Sequence, residues 1–162
     1  MNVFNIFRKK ETNTEVLQNA HVTLYPEQIL VQAYDRAKEG FWIGTTNLVY
    51  IADDASNEHL GSIVRSHMSL TRTGQKRPSD WKAAHKLFLK AAGFKTEKEE
   101  YRDAKNVGIC RKGSQLTISI SINGEYNGRT RGFWGNGVLE FDNNISDAEL
   151  GQHIREAFEL CK

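Results

Sequence analysis

One stretch of this chain occurs twice, and that constrains the fold more than any other feature. Gly40-Phe41-Trp42 leads through a short apolar run to Ser56-Asn57-Glu58-His59-Leu60-Gly61. Gly132-Phe133-Trp134 leads in the same way to Ser146-Asp147-Ala148-Glu149-Leu150-Gly151. Beyond each Leu-Gly pair, Arg65 matches Arg155 and Leu70 matches Leu160, so that Ser56–Leu70 and Ser146–Leu160 align without a gap. A two-residue difference falls between Trp42 and Leu48, where a loop is expected to absorb it. Two copies imply an internally duplicated domain, not a solenoid.

The repeated unit reads as strand, turn, helix. Leu48–Ile51 and Val138–Phe141 are β-prone runs followed by Asp- and Asn-rich turns. Ser56 and Ser146 stand where N-caps belong, and Ser146 with Glu149 forms a capping box. Leu60, Ile63, Val64 and Met68 then share a helical face, as do Leu150, Ile154, Ala157, Phe158 and Cys161. Glycine inside a helix costs about 1 kcal/mol relative to alanine. Its presence at 61 and 151 therefore predicts a close backbone approach at both helix starts, with both helices on one sheet.

Around these copies the pattern predicts a short N-terminal arm over 1–20 and a strand over 21–25. Residues 29–35 carry helical periodicity, but the internal alignment sets Ile29–Asp35 against Ser121–Asn127 and predicts a strand. Ser79 or Asp80 caps a helix to about Ala92, with Trp81, Ala84, Leu87, Phe88 and Ala91 as its apolar stripe and Gly93 as its stop. A shorter charged helix is expected within Lys95–Arg102. Val107–Cys110 and Leu116–Ile122 form a hairpin turned at Lys112-Gly113-Ser114. The second strand alternates Leu116, Ile118, Ile120 and Ile122 with Thr117, Ser119 and Ser121, so one face of the sheet is buried and the other wet. The expectation is a single α+β domain over 1–162, with a mostly antiparallel β-sheet and packed helices. Repeat units at about 21–71 and 106–161 are joined by a basic helical segment, 72–105.

Composition narrows the function classes. With 39% hydrophobic and 26% charged residues in 162, the chain reads as an ordinary globular protein. No apolar run approaches the ~20 residues that span a bilayer, and Phe4–Phe7 precede Arg8-Lys9-Lys10, the reverse of a secretory signal. Cys110 and Cys161 form no C-x-x-C or disulfide framework, which fits reduced thiols in the cytoplasm. The five histidines build no H-E-x-x-H, and neither a nucleophile elbow nor a P-loop is present. No ligand spacing implies a metal, and no motif implies a cofactor. Glycines 124, 128, 132, 135 and 137 lack the Rossmann and Walker patterns and read as a hairpin connection. An enzyme would need His67 or His85 beside a carboxylate in a cleft.

Charge is uneven. Thr71–Lys112 holds twelve Lys and Arg against five Asp and Glu, in a chain of net charge +2. Lys82, Lys86 and Lys90 recur at four-residue spacing on one helix face. They define the main alternative reading, a nucleic-acid-binding module using the basic central helix. No aromatic-basic RNA-binding signature accompanies them, and Glu97, Glu99, Glu100 and Asp103 follow at once and oppose it.

Taken together, Leu70-Thr71-Arg72-Thr73-Gly74, Pro78-x-x-Trp81, Ala92-Gly93-Phe94-Lys95, Leu116-Thr117-Ile118-Ser119-Ile120, Gly132-Phe133 and the Ser146–Gly151 helix start resemble the immunity proteins of bacterial contact-dependent growth inhibition, the CdiI family. The apolar-then-basic N-terminus is similar too, whereas Gln75-Lys76-Arg77 departs from the family pattern. The resemblance implies a non-enzymatic, cytoplasmic inhibitor. It would bind a cognate toxin domain of the CdiA C-terminal type, in many cases a nuclease, and cover its active site, with no role for membrane or nucleic acid. A basic nuclease cleft would favour contacts from Asp53 and Asp54, or from Glu97, Glu99, Glu100 and Asp103. An acidic toxin face would favour Lys82, Lys86 and Lys90. Trp42, Tyr126 or Trp134 would become an aromatic anchor if exposed, core packing being the expected role of the two tryptophans.

Overall fold

The computed structural model describes residues 15–162; the Phe4–Lys10 segment lies outside them. Ten elements follow in order: β1 (Leu17–Leu24), β2 (Gln28–Arg36), β3 (Trp42–Ala52), α1 (Asn57–Met68), α2 (Trp81–Ala92), α3 (Glu97–Tyr101), β4 (Lys105–Lys112), β5 (Gln115–Asn123), β6 (Phe133–Asp142) and α4 (Asp147–Leu160). The strands form one six-stranded sheet in the order β3-β2-β1-β4-β5-β6, and every neighbouring pair is antiparallel. The α+β class and the antiparallel sheet are as expected. Each half supplies three strands and then a helix, and the halves meet where β1 pairs with β4.

Strand alternation sorts the side chains onto two faces. Ala20, Val22, Ile29, Val31, Ile109, Leu116 and Ile118 point to one side, where α1 and α4 cover them with Leu60, Val64, Met68, Leu150, Ile154 and Phe158. Each fully buried Val, Leu, Ile or Phe contributes roughly 1.5–3 kcal/mol, so this face dominates stability. The helices meet at their starts. A methyl at Gly61 would collide with the Asp147 carbonyl, and one at Gly151 with the Asn57 carbonyl. The close approach inferred from the two glycines is therefore between the helices themselves.

Both helices begin as predicted, with Ser56 accepting from His59 N and Ser146 in a complete capping box with Glu149. The matched arginines cross between halves. Arg65 donates to the Asn143 carbonyl (3.1 Å) and the Ile145 carbonyl (2.6 Å) and pairs with Asp147 (3.0 Å). Arg155 donates to Asn57 Oδ1 (3.0 Å), the Asp53 carbonyl (2.8 Å) and the Ala55 carbonyl. Each arginine thus satisfies the turn carbonyls ahead of the opposite helix.

Four expectations are corrected. The arm ends before residue 17, because Leu17–Ala20 already pair with Ile109–Lys112 and Ala20 belongs to the core. Residues 28–36 are indeed a strand, but the alignment behind that reading is out of register: Gly124–Asn127 form a turn, and the corresponding strand is β5. The extra residues between Trp42 and Leu48 lie in no loop. They bulge from edge strand β3, where Gln32 pairs with Leu48 and Tyr34 with Gly44; Gln32 Nε2 and Thr45 Oγ1 bond the carbonyls of Thr45 and Ala33 there. The stripe on α2 is largely unburied, with Trp81 52% and Leu87 63% exposed. The sheet beneath the first turns of α2 carries Gln32 and Tyr34, and of the helix Phe88 and Ala92 reach the small apolar cluster around Leu30.

Candidate functional site

The second face of the sheet alternates with the core and is polar. From β1 it presents His21 and Thr23, from β2 Gln32 and Tyr34, from β4 Asn106, and from β5 Ser119 and Ser121. Helices α2 and α3 bridge part of this surface. Their anchorage is a small cluster of Tyr25, Leu30, Ala92 and Ala104, with Phe88 and Phe94 against it. Asp80 caps the start of α2, and Gly93, in the left-handed conformation at φ 79°, ends it. Tyr50 donates its hydroxyl to the Ala92 carbonyl at 2.6 Å, so α2 is held chiefly at its C-terminal end.

A cavity of about 310 Å³ remains between the polar face and these helices. A second opening of about 230 Å³ under α2 shares Gln32, Tyr34, Phe88, Glu100 and Tyr101 with it, so the two adjoin as neighbouring mouths walled by the same side chains. Burial tunes its groups. His21 stacks on Tyr34 with centroids 4.0 Å apart and donates from Nδ1 to Asn106 Oδ1 at 3.1 Å. Desolvation pushes its imidazole down to about 4, against which the Asn106 bond acts, so it is neutral near pH 7. Desolvation raises Tyr25, Tyr34 and Tyr101, keeping them as phenols. It also raises Glu100, opposed by the bond from His85.

His85 Nε2 lies 2.7 Å from Glu100 Oε2, which meets the geometric condition set for an enzyme: a histidine beside a carboxylate in a cleft. The pair ties α2 to α3. His67 instead bonds the Ile63 carbonyl of its own helix. His153 stacks on Phe141 and pairs with Glu156.

The other candidate residues are scattered. Asp53 and Asp54 occupy the β3–α1 turn. Glu97, Glu99, Glu100 and Asp103 lie on or just after α3, but Glu100 is only 8% exposed and faces inward, while Glu99 accepts from Lys95 N. Glu100 therefore leaves the acidic surface group. Lys82, Lys86 and Lys90 are exposed on α2. Trp42 is half-buried beneath the Arg36 guanidinium at 4.7 Å. Trp134, expected in the core, is 40% exposed and Tyr126 is 55% exposed. The cavity went unseen in the sequence. Its signal was present in the polar alternation Thr117, Ser119, Ser121 and in the polar positions 21, 23 and 32, which read only as a wet face.

Comparison with known proteins adds a family. The model of the CDI immunity proteins (CdiI) matches residues 18–161. Two solved structures share the fold. A Neisseria meningitidis protein of unknown function is 16% identical with a TM-score of 0.78, over 91% of this chain and 97% of that one. A structure described as the CdiA-CT/CdiI toxin and immunity complex from Yersinia pseudotuberculosis gives 19% identity and a TM-score of 0.72, over 91% and 99%. No curated protein matches in sequence.

Proposed function

The chain belongs to the CDI immunity protein family, and from that premise we propose that it binds and neutralises one cognate toxin domain of the CdiA C-terminal type. The observation that carries this reading is the family match across nearly the whole described chain. The toxin–immunity complex adopted by a protein of the same fold supports it. The toxin is a nuclease, the complex covers its active site, and both events take place in the cytoplasm of the producing bacterium. The chain itself is not an enzyme. His85 and Glu100 serve it as the tie between α2 and α3.

Binding of this kind commonly buries about 1,600 Å² in total around a few desolvated anchors. The face carrying α2 suits it best, because Trp81 and Leu87 are already exposed there beside Lys82, Lys86 and Lys90. Asp53 and Asp54, or Glu97, Glu99 and Asp103, are the acidic contacts if the toxin surface is basic.

Capture from the native strain with this chain as bait tests the proposal, followed by mass spectrometry and growth assays. A stoichiometric partner that is the C-terminal region of a very large secreted protein is expected. Its expression should arrest growth unless this chain is co-expressed. Recovery of nucleic acid alone, with affinity falling steeply with salt, would overturn the immunity reading in favour of the basic helix.

A further inference from the structure

We infer that the cavity under α2 is a binding site for a guanidinium group, and that an arginine side chain of the toxin fills it in the complex. The second part rests on the immunity reading above. The observation behind the first is an imbalance between donors and acceptors. Tyr25 donates its hydroxyl to the Glu100 carbonyl at 2.9 Å, and Ser121 to the Asn106 carbonyl at 2.6 Å. Gln32 commits its amide to the Thr45 carbonyl at 2.8 Å. Asn106 Nδ2 donates to Thr23 Oγ1 at 2.9 Å, which leaves Asn106 Oδ1 to accept from His21 Nδ1.

That last bond fixes the imidazole tautomer, so His21 Nε2 carries a lone pair and no proton. The wall thus holds groups that can only accept, His21 Nε2 and the Gln32 side-chain carbonyl, beside the hydroxyls of Thr23, Tyr34, Tyr101 and Ser119, which turn to donate or accept as an occupant requires. Glu100 adds a carboxylate, almost fully buried, of which His85 engages only Oε2. Among the described residues, no lysine or arginine lines either mouth. An anion would meet a carboxylate and lone pairs, and an apolar group would leave those acceptors unsatisfied at about 1–3 kcal/mol each. A guanidinium supplies five donors in a planar fork with a positive charge, where an ammonium supplies three from a point. Tyr101 and Phe133, with centroids 4.9 Å apart, add ring faces for a cation. Trp81, half-exposed, lines the second mouth, so a side chain entering there arrives from the surface proposed for the toxin.

The test titrates the full, isotope-labelled chain with N-acetyl-arginine amide, and separately with N-acetyl-citrulline amide, which has the same shape and no charge. The arginine derivative should move the amide resonances of Glu100, Tyr101 and Ser121 saturably. It should bind at least about tenfold more tightly than the citrulline derivative, a difference of about 1.4 kcal/mol. Glu100→Gln should abolish that preference and Glu58→Gln, exposed on α1 across the sheet, should keep it. Equal affinities, or shifts confined to other surfaces, would overturn the site. The comparison on the unaltered chain decides this even if Glu100→Gln fails to fold. Once the toxin is known, the purified complex should no longer take up the arginine derivative. Continued uptake would overturn the assignment to a toxin side chain. A chain that binds the derivative yet captures no toxin refutes the immunity reading and not the site; capture of a toxin without derivative binding does the reverse.

Discussion

The two faces of the sheet are built from alternate residues of the same strands and have little else in common. One is dry, covered by α1 and α4, and locked by glycines and arginines that each half inserts into the other. The other is polar, and the helix above it, α2, buries a single residue, Ala92. The contrast teaches that stability and recognition are carried by different sides of one sheet. The polar side can keep exposed aromatics and an open cavity because the dry side supplies the free energy of folding.

Substitutions can break or sharpen this division. The largest effect is expected at the helix crossing: Gly61→Ala or Gly151→Ala forces backbone apart and should cost about 3 kcal/mol or more in urea unfolding. Gly135→Ala on the polar side, with open space around it, should stay within about 0.5 kcal/mol. Similar losses at the two sites would erase the distinction between faces. Arg155→Ala follows, at about 3 kcal/mol, because it strips the Asp53 and Ala55 carbonyls of the donor that bonds them; Arg65→Ala should match it if the halves are energetically equivalent.

His21 is the polar face's own contribution to stability. Burial pushes it down to about 4, below the ordinary histidine value of 6.5, so protons favour the unfolded chain. The contribution is complete above about pH 6.5 and disappears as the pH falls towards 4, a change on the order of 2–3 kcal/mol. Glu100, raised by burial, works in the opposite sense, since the folded state holds its proton more tightly. That effect is common to both proteins when the wild type is compared with His21→Gln, which should show a shallower acid limb in melts from pH 7 to pH 4. An unchanged limb would show that water reaches His21 freely. Smallest in stability, within about 0.5 kcal/mol, are Trp81→Ala and Leu87→Ser. If α2 meets the toxin, however, they should weaken binding about tenfold. Lys82→Glu with Lys86→Glu should change the association rate and its salt dependence, and unaltered kinetics would remove that face from the interface.

Most of the dry side was legible in the sequence. Helix caps, apolar periodicity and the paired Leu60-Gly61 and Leu150-Gly151 are local signals, and they located α1, α4 and their close approach. What escaped depends on partners distant in the chain. The α2 stripe looks like a core stripe until Gln32 and Tyr34 are found beneath it. Glu100 looks like one of several surface acids until His85, fifteen residues earlier, is seen to bond it. The bulge in β3 is invisible without the register of β2. The cavity needs five strands and two helices at once, which no single window of sequence contains.

The pairing of β1 with β4 has a kinetic consequence. Its register joins Leu17 to Lys112, so the middle of the sheet closes only after a long ring of chain has been drawn together. Ring closure of that length is entropically unfavourable before any contact rewards it, and topologies rich in such contacts fold slowly. On the ribosome, the first three strands and α1 emerge before β4, which must then pair along the β1 edge. The polar face that carries the cavity is therefore complete only after β4, β5 and β6 have joined the sheet.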